Sequence, residues 1–168
     1  MTLEIALDSD EEWDSSRSWE QLARTAAQAA IAESAFPQLA EADRSIEISI
    51  TLTGDEQVRA LNAQWRGKDK PTNVLSFPMA DERDLGPASL ANAELLLGDI
   101  ILARGVCAAE AAEKGVSVED HAAHLLVHGT LHLLGYDHHD EGEAEDMEAR
   151  EVRALARLGI ANPYEVTA

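Results

Sequence analysis

Residues 45–66, SIEISITLTGDEQVRALNAQWR, change period halfway along. Ile46, Ile48, Ile50 and Leu52 alternate with Ser45, Glu47, Ser49 and Thr51, a period of two that predicts a sheet strand with one wet face. Val58, Leu61 and Trp65 then recur at helical spacing and predict a helix laid against the core. Thr53 and Glu56 form a capping-box pattern at the switch. A strand running straight into an amphipathic helix points to a mixed fold, and the flanking sequence extends the pattern both ways.

Upstream, TLEIAL reads as a short strand and residues 8–17 as a polar, acidic loop. Ser18 with Gln21 resembles another capping box, and Trp19, Leu22, Ala26 and Ile31 give a helical face ending near Phe36-Pro37. Downstream, NVLSF reads as a strand limited by Pro78, and residues 79–92 as a surface excursion with Gly86-Pro87 as its turn. ELLLGDIILA is a strand pair or one interrupted strand, with Gly98-Asp99 bending the chain or admitting another backbone. A helix is expected from Arg104 to Lys114, ended by Gly115, and another from Ser117 or Val118, where Ser117 and Asp120 form a cap. A last helix runs from about Gly142 to Leu158, with Met147, Val152, Leu155 and Leu158 inward. The expected fold class is α+β, a small mixed sheet covered by several helices, in a single domain of residues 1–168.

An apolar content of 45% over 168 residues is ordinary for one soluble core. The acidic start MTLEIALDSDEEWD lacks a secretory signal pattern, and LLLGDIILA is too short to span a bilayer, so a cytoplasmic protein with no membrane partner is expected. Cys107 is the single cysteine and reads as a small buried hydrophobe. A formal charge of −19 opposes nonspecific attraction to nucleic acid. The charge is uneven, however: Arg59, Arg66, Lys68 and Lys70 form a basic region, whereas eight carboxylates lie between Asp137 and Glu151 against the single Arg150. Any anionic ligand is therefore expected at a small basic area.

Four histidines, His121, His124, His128 and His132, follow at spacings of three, four and four, along one face of the predicted helix. His121 and His124 read as buried, hydrogen-bonded histidines, His124 being close enough to approach a site from the preceding turn. His128 and His132, with Gly135 turning the chain so that His138 returns, have the H-x3-H-x5-H spacing of a three-histidine metal centre. Three nitrogens leave a coordination position open for water, which suits hydrolytic zinc rather than a closed structural site. His139, adjacent to His138, is left out of the ligand set. The spacing also fits metzincin peptidases, but Gly129 occupies the position of their general-base glutamate. Met147 is assigned to the core rather than to the floor of such a metal site.

Two blocks, LNAQWRGKDKPTNVLSFP at 61–78 and HGTLHLLGYDH at 128–138, with LLLGDI as a weaker companion, make most of the chain resemble the YbeY family of bacterial rRNA maturation factors. The resemblance implies a metal-dependent, single-strand-preferring endoribonuclease acting in 16S rRNA 3'-end maturation and ribosome quality control. It implies one Zn2+ on His128, His132 and His138, and a functional arginine at Arg66. Implied partners are rRNA and the ribosomal small subunit, with ribosomal or assembly proteins beside them. Lys68 and Lys70 are expected to position RNA, and Asp137 to orient a ligand histidine or cap the turn. Two alternatives stand beside this reading: a zinc metallopeptidase, and a non-catalytic, metal-stabilised ribosome assembly protein.

Overall fold

The computed structural model describes residues 2–14, 18–36, 39, 45–80, 94–137 and 140–164. Its elements are β1 (Thr2–Ser9), α1 (Trp19–Ala32), β2 (Ser45–Thr53), α2 (Asp55–Arg66), β3 (Val74–Pro78), β4 (Leu95–Ala103), α3 (Arg104–Lys114), α4 (Val118–Leu133) and α5 (Glu141–Arg157). The four strands form one sheet in the order β1-β2-β4-β3. β1 and β4 run parallel to β2, and β3 runs antiparallel to β4 along one edge. This is the mixed sheet with helical cover that the sequence predicts.

The strict alternation of β2 puts Ile46, Ile48, Ile50 and Leu52 into the main core and leaves the opposite side chains half-buried. β4 has apolar residues on both faces. Ile100 and Leu102 join the main core under α1, α4 and α5, whereas Ile101 and Ala103 join a smaller cluster with Val58 of α2 and Leu75 of β3. α3 touches both clusters, through Val106 and Cys107.

ELLLGDIILA is one interrupted strand. Register shifts opposite Glu47 and Ile48, where Leu97 is the extra residue, and Gly98 adopts φ +144°. Both roles expected for Gly98 apply: a Cβ there would lie 2.2 Å from the Phe77 carbonyl oxygen and 2.8 Å from Leu133 Cδ2. Glycine therefore lets the β3 backbone and the end of α4 close on the same point of β4.

α4 is buried nearly all round, as a central helix should be. The Ser117 hydroxyl accepts from the Asp120 amide at its start. At its end Gly135, at φ +100°, donates to His132 O and Tyr136 N donates to Leu131 O, a Schellman turn that folds the chain back beside His132.

Several local expectations are corrected. α1 ends at Ala32, before Phe36, and Ser18 caps it without a side-chain bond. The N-cap of α2 is Gly54, and the Thr53 hydroxyl instead lies 2.9 Å from Asp10 Oδ2 and 2.6 Å from Gln57 Oε1. The stretch expected to be a polar loop contains Trp13, which is buried, stacks edge-on with Trp19 and donates to Thr53 O at 3.0 Å. Trp65, expected inward, is 63% exposed. In α5, Met147 and Leu155 are buried as expected, while Val152 and Leu158 are only half-buried. The Gly86-Pro87 turn lies outside the described residues. Cys107 is fully buried, and burial pushes its thiol up to about 12. Among the described residues no helix is long and apolar enough to cross a membrane.

Candidate functional site

α4 crosses the sheet above β3 and β4, and Gly129 sets how close it comes. A Cβ at Gly129 would stand 3.1 Å from two Ile100 side-chain carbons and 3.2 Å from Ser76 Oγ. The helix therefore rests on the sheet at this residue, and His128 and His132 reach past it to the β3 edge. There they line a cleft of about 590 Å3, together with Arg66, Lys68, Lys70 and Asp137.

The cationic wall is built by α2 and the turn after it. Arg66 is the last residue of α2, and Gly67 follows at φ +68° as its left-handed cap. Arg66 donates to Ser76 O at 2.9 Å, and its guanidinium lies 5.7 Å from the centre of the Phe77 ring. Buried Asn62 organises the turn: its side chain donates to Lys70 O at 2.8 Å and its carbonyl accepts from Lys68 N at 3.2 Å. Arg59, part of the basic run in sequence, does not line the cleft. It forks onto Asp69 with bonds of 2.9 and 3.2 Å and also reaches Glu56, bracing the turn from outside.

The imidazole wall is built by α4 and α5. The Nε2 atoms of His128 and His132 face each other at 3.0 Å, with ring centres 4.5 Å apart. His128 Nδ1 is hydrogen-bonded to Glu151 Oε1, and the Tyr164 hydroxyl donates to Glu151 Oε2. Glu151 is fully buried. Burial opposes its ionisation, but the His124 ring at 3.8 Å, the His128 contact and the Tyr164 hydroxyl outweigh it and bring the carboxyl to about 2. Burial and the adjacent Glu151 charge both hold the Tyr164 phenol well above its usual range.

His121 and His124 are buried and hydrogen-bonded, as expected. His121 Nε2 meets Glu110 Oε1 at 2.8 Å, and the same oxygen accepts from Asn73 at 3.0 Å. Burial holds the His121 imidazole below its usual range, the Glu110 carboxylate pulling the other way. His124 points its Nε2 at the Tyr164 hydroxyl, 3.2 Å away, and its Nδ1 has no partner among the described residues. It lies 3.8 Å from Glu151 Oε1 and does not line the cleft.

The structure thus brings Arg66, His128 and His132 to one cleft, while His138 and His139 lie outside the described residues. Among the described residues no group of three or more His, Cys, Asp or Glu side chains able to hold a metal is found. The sequence reading missed Glu151 and Tyr164. A signal for Glu151 was present: it falls four residues after Met147 and four before Leu155, a carboxylate within the apolar stripe of α5.

A sheet-edge cleft lined by two convergent imidazoles, a guanidinium and two ammonium groups makes this an α+β protein with a site suited to an anionic chain. The family pattern described as Endoribonuclease YbeY matches residues 6–159, and the chain belongs to that family of RNA-cleaving enzymes. A Rhizorhabdus wittichii protein described as Endoribonuclease YbeY is 53% identical over 166 residues, covering 98% of each chain. One from Sphingopyxis alaskensis with the same description is 54% identical over 155 residues, covering 90% of this chain and 91% of its own. The solution structure of TM1509 from Thermotoga maritima shares the fold, with a TM-score of 0.54 at 20% identity over 98% of this chain and 100% of that one.

Proposed function

We propose that this single-domain chain is a zinc-dependent endoribonuclease that cuts single-stranded RNA in 16S rRNA 3'-end maturation and ribosome quality control. The observation that carries this reading is the cleft in which Arg66, Lys68 and Lys70 share a wall-to-wall space with His128 and His132. The proposed partners are rRNA and the small ribosomal subunit, with ribosomal or assembly proteins alongside, in the cytoplasm.

The spacing of the two described imidazoles supports a metal ion between them. Two imidazole nitrogens on one tetrahedral zinc stand about 3.3 Å apart, given bonds near 2.05 Å. The His128 and His132 Nε2 atoms are 3.0 Å apart. With His128 Nδ1–H donating to Glu151 Oε1, the neutral ring presents its lone pair at Nε2. His128, His132 and His138 would hold the ion. When bound, it would supply Lewis acidity at the phosphoryl group and acidify a water. Arg66, kept in place by Ser76 O and Phe77, binds phosphate and offsets the charge that develops during cleavage. Its role is charge stabilisation, not that of the base. Lys68 and Lys70 hold the RNA backbone along the turn.

Gly129 argues against a peptidase. The position that carries the general base in metzincins is a glycine packed against Ile100 and Ser76, where even a Cβ would press to 3.1–3.2 Å on its neighbours.

The test uses the full chain loaded with zinc, the chelator-treated chain, and His128→Ala, His132→Ala and Arg66→Ala variants, on precursor 16S rRNA and on casein. Zinc removal and either histidine change should abolish RNA cutting, and Arg66→Ala should slow it on the order of a hundredfold. Mapping the new RNA ends separates attack by water from attack by the 2'-hydroxyl, which leaves a cyclic phosphate. Normal cutting by apo protein and all three variants would remove the site, casein cleavage without RNA cleavage would restore the peptidase, and zinc-dependent RNA binding without turnover would leave an assembly role.

A further inference from the structure

The last helix carries a group that the reaction as described does not use. Glu151 lies at full burial on α5, yet both its oxygens are engaged: Oε1 with His128 Nδ1 and Oε2 with the hydroxyl of Tyr164. A carboxylate in such surroundings is costly to bury unless its partners are fixed. The partners here form one line from the C-terminal segment to the cleft. His124 Nε2 faces the Tyr164 oxygen at 3.2 Å, Tyr164 donates to Glu151, Glu151 accepts from His128, and His128 Nε2 faces His132 Nε2 at 3.0 Å.

One assignment of protons satisfies the contacts along this line. With Tyr164 donating to Oε2 and Oε1 turned to Nδ1 of His128, the carboxyl group is placed to accept at both oxygens, and Nδ1 carries the hydrogen shared with Oε1. The Tyr164 hydroxyl uses its one hydrogen on Oε2, so its oxygen accepts from His124, whose proton is then on Nε2. That assignment leaves His124 Nδ1 as an acceptor, and this is the buried side-chain atom without a partner among the described residues. The contact at His128 carries this set of tautomers, and the orphaned nitrogen at His124 is compatible with it.

We infer that Glu151, held by Tyr164, is a positioning residue for the metal centre: it locks His128 in the Nδ1–H tautomer and aims its Nε2 into the cleft beside that of His132. The inference rests on the metal site of the proposed function and adds how the chain prepares it. Hydrogen bonds of this kind, from the far nitrogen of a ligand histidine to a carboxylate, raise ligand basicity and fix ring orientation. The arrangement also gives Tyr164 a role in metal affinity, although its hydroxyl reaches Glu151 rather than the cleft.

Two measurements on the full chain test this, and neither reads catalysis. Long-range nitrogen–proton spectra of histidine-labelled apo protein, assigned with His128→Ala, should show His128 protonated at Nδ1. Zinc affinity, measured by competition with a chromophoric chelator, should weaken about 10- to 100-fold in Glu151→Gln and by less in Tyr164→Phe, both with cooperative melting. If Glu151→Gln does not fold, the wild-type tautomer and Tyr164→Phe decide. An Nε2–H tautomer for His128 in the wild type overturns the inference, as does zinc affinity within twofold of wild type in both variants. His128→Ala separates the two readings: wild-type zinc affinity there removes the metal site itself, whereas loss there with no change in Glu151→Gln and Tyr164→Phe removes only the positioning role.

Discussion

The indole of Trp65, 63% exposed in the last turn of α2, gains little from burial in the folded chain. It stands next to Arg66 in sequence and three residues before Lys68. An exposed aromatic beside cations is the pairing that single-stranded nucleic acid uses, because every base offers a face to stack on while the cations hold the backbone. Stacking of this kind is worth roughly 1–3 kcal/mol per base. Trp65→Ala should therefore weaken binding of a short single-stranded RNA by about five- to a hundredfold, with melting shifted by less than the ~0.5 kcal/mol expected at an open surface. Fluorescence titration and thermal melting check both halves. Unchanged RNA affinity would make Trp65 an ordinary surface residue, and a large loss of stability would return it to the core.

At the scale of elements, two joints set where α4 and α5 stand. The first is the β4 bulge. Gly98→Ala must accept a side chain at φ +144° with its Cβ 2.2 Å from Phe77 O, so β3 or β4 has to move. Strain and overpacking together put the loss on the order of 3 kcal/mol, and because β3 carries Ser76, the anchor of Arg66, RNA cutting should fall along with stability. Denaturant melts at the permissive temperature, paired with cleavage rates, test whether the two losses travel together. The second joint is Glu33, after α1, whose carboxylate takes Arg153 at 3.0 Å and Arg157 at 2.6 Å from α5. The Arg157 hydrogen bond holds its carboxyl below the usual range, with burial opposing and Arg153 assisting. A depressed folded-state value means that the contribution is complete above the unfolded value near 4.3 and fades as pH drops through the folded one. Glu33→Gln should thus cost about 1 kcal/mol or less at neutral pH, the partners being half exposed, and the difference should vanish in melts taken well below pH 4. These joints also show what local sequence can carry. The strand period of β2, the Gly115 and Gly135 stops and the Ser117 cap are local physics and could be read directly. Trp65 against Trp13 could not be read that way: helical spacing does not say which face meets a neighbour, and Trp13 is buried by Thr53, forty residues away in the chain. The paired imidazoles needed only a spacing of four on one helix, whereas Glu151 and Tyr164 depend on how α5 docks on α4 and remained hidden within their own segments.

For the whole molecule, the question is how a chain of net charge −19 holds a polyanion. Its carboxylates repel RNA at long range, while the cleft presents Arg66, Lys68 and Lys70 at short range. The cleft thus offers three cationic contacts, and Arg59 is already paired with Asp69 and Glu56. Each phosphate neutralised on a single strand contributes a slope of about −0.7 to log affinity against log salt, so three contacts predict about −2. Background repulsion is screened by the same salt, which makes the measured slope shallower still. Removing both lysines, in Lys68→Ala with Lys70→Ala, should reduce the slope to about −0.7 and weaken binding most at low salt. Filter binding of a single-stranded RNA between low and physiological salt measures this directly. A wild-type slope steeper than about −4 would mean that RNA also contacts cations elsewhere on the surface. A slope near −2 would confine recognition to the cleft and leave selectivity among RNAs to stacking at Trp65 and to docking supplied by the ribosomal surface.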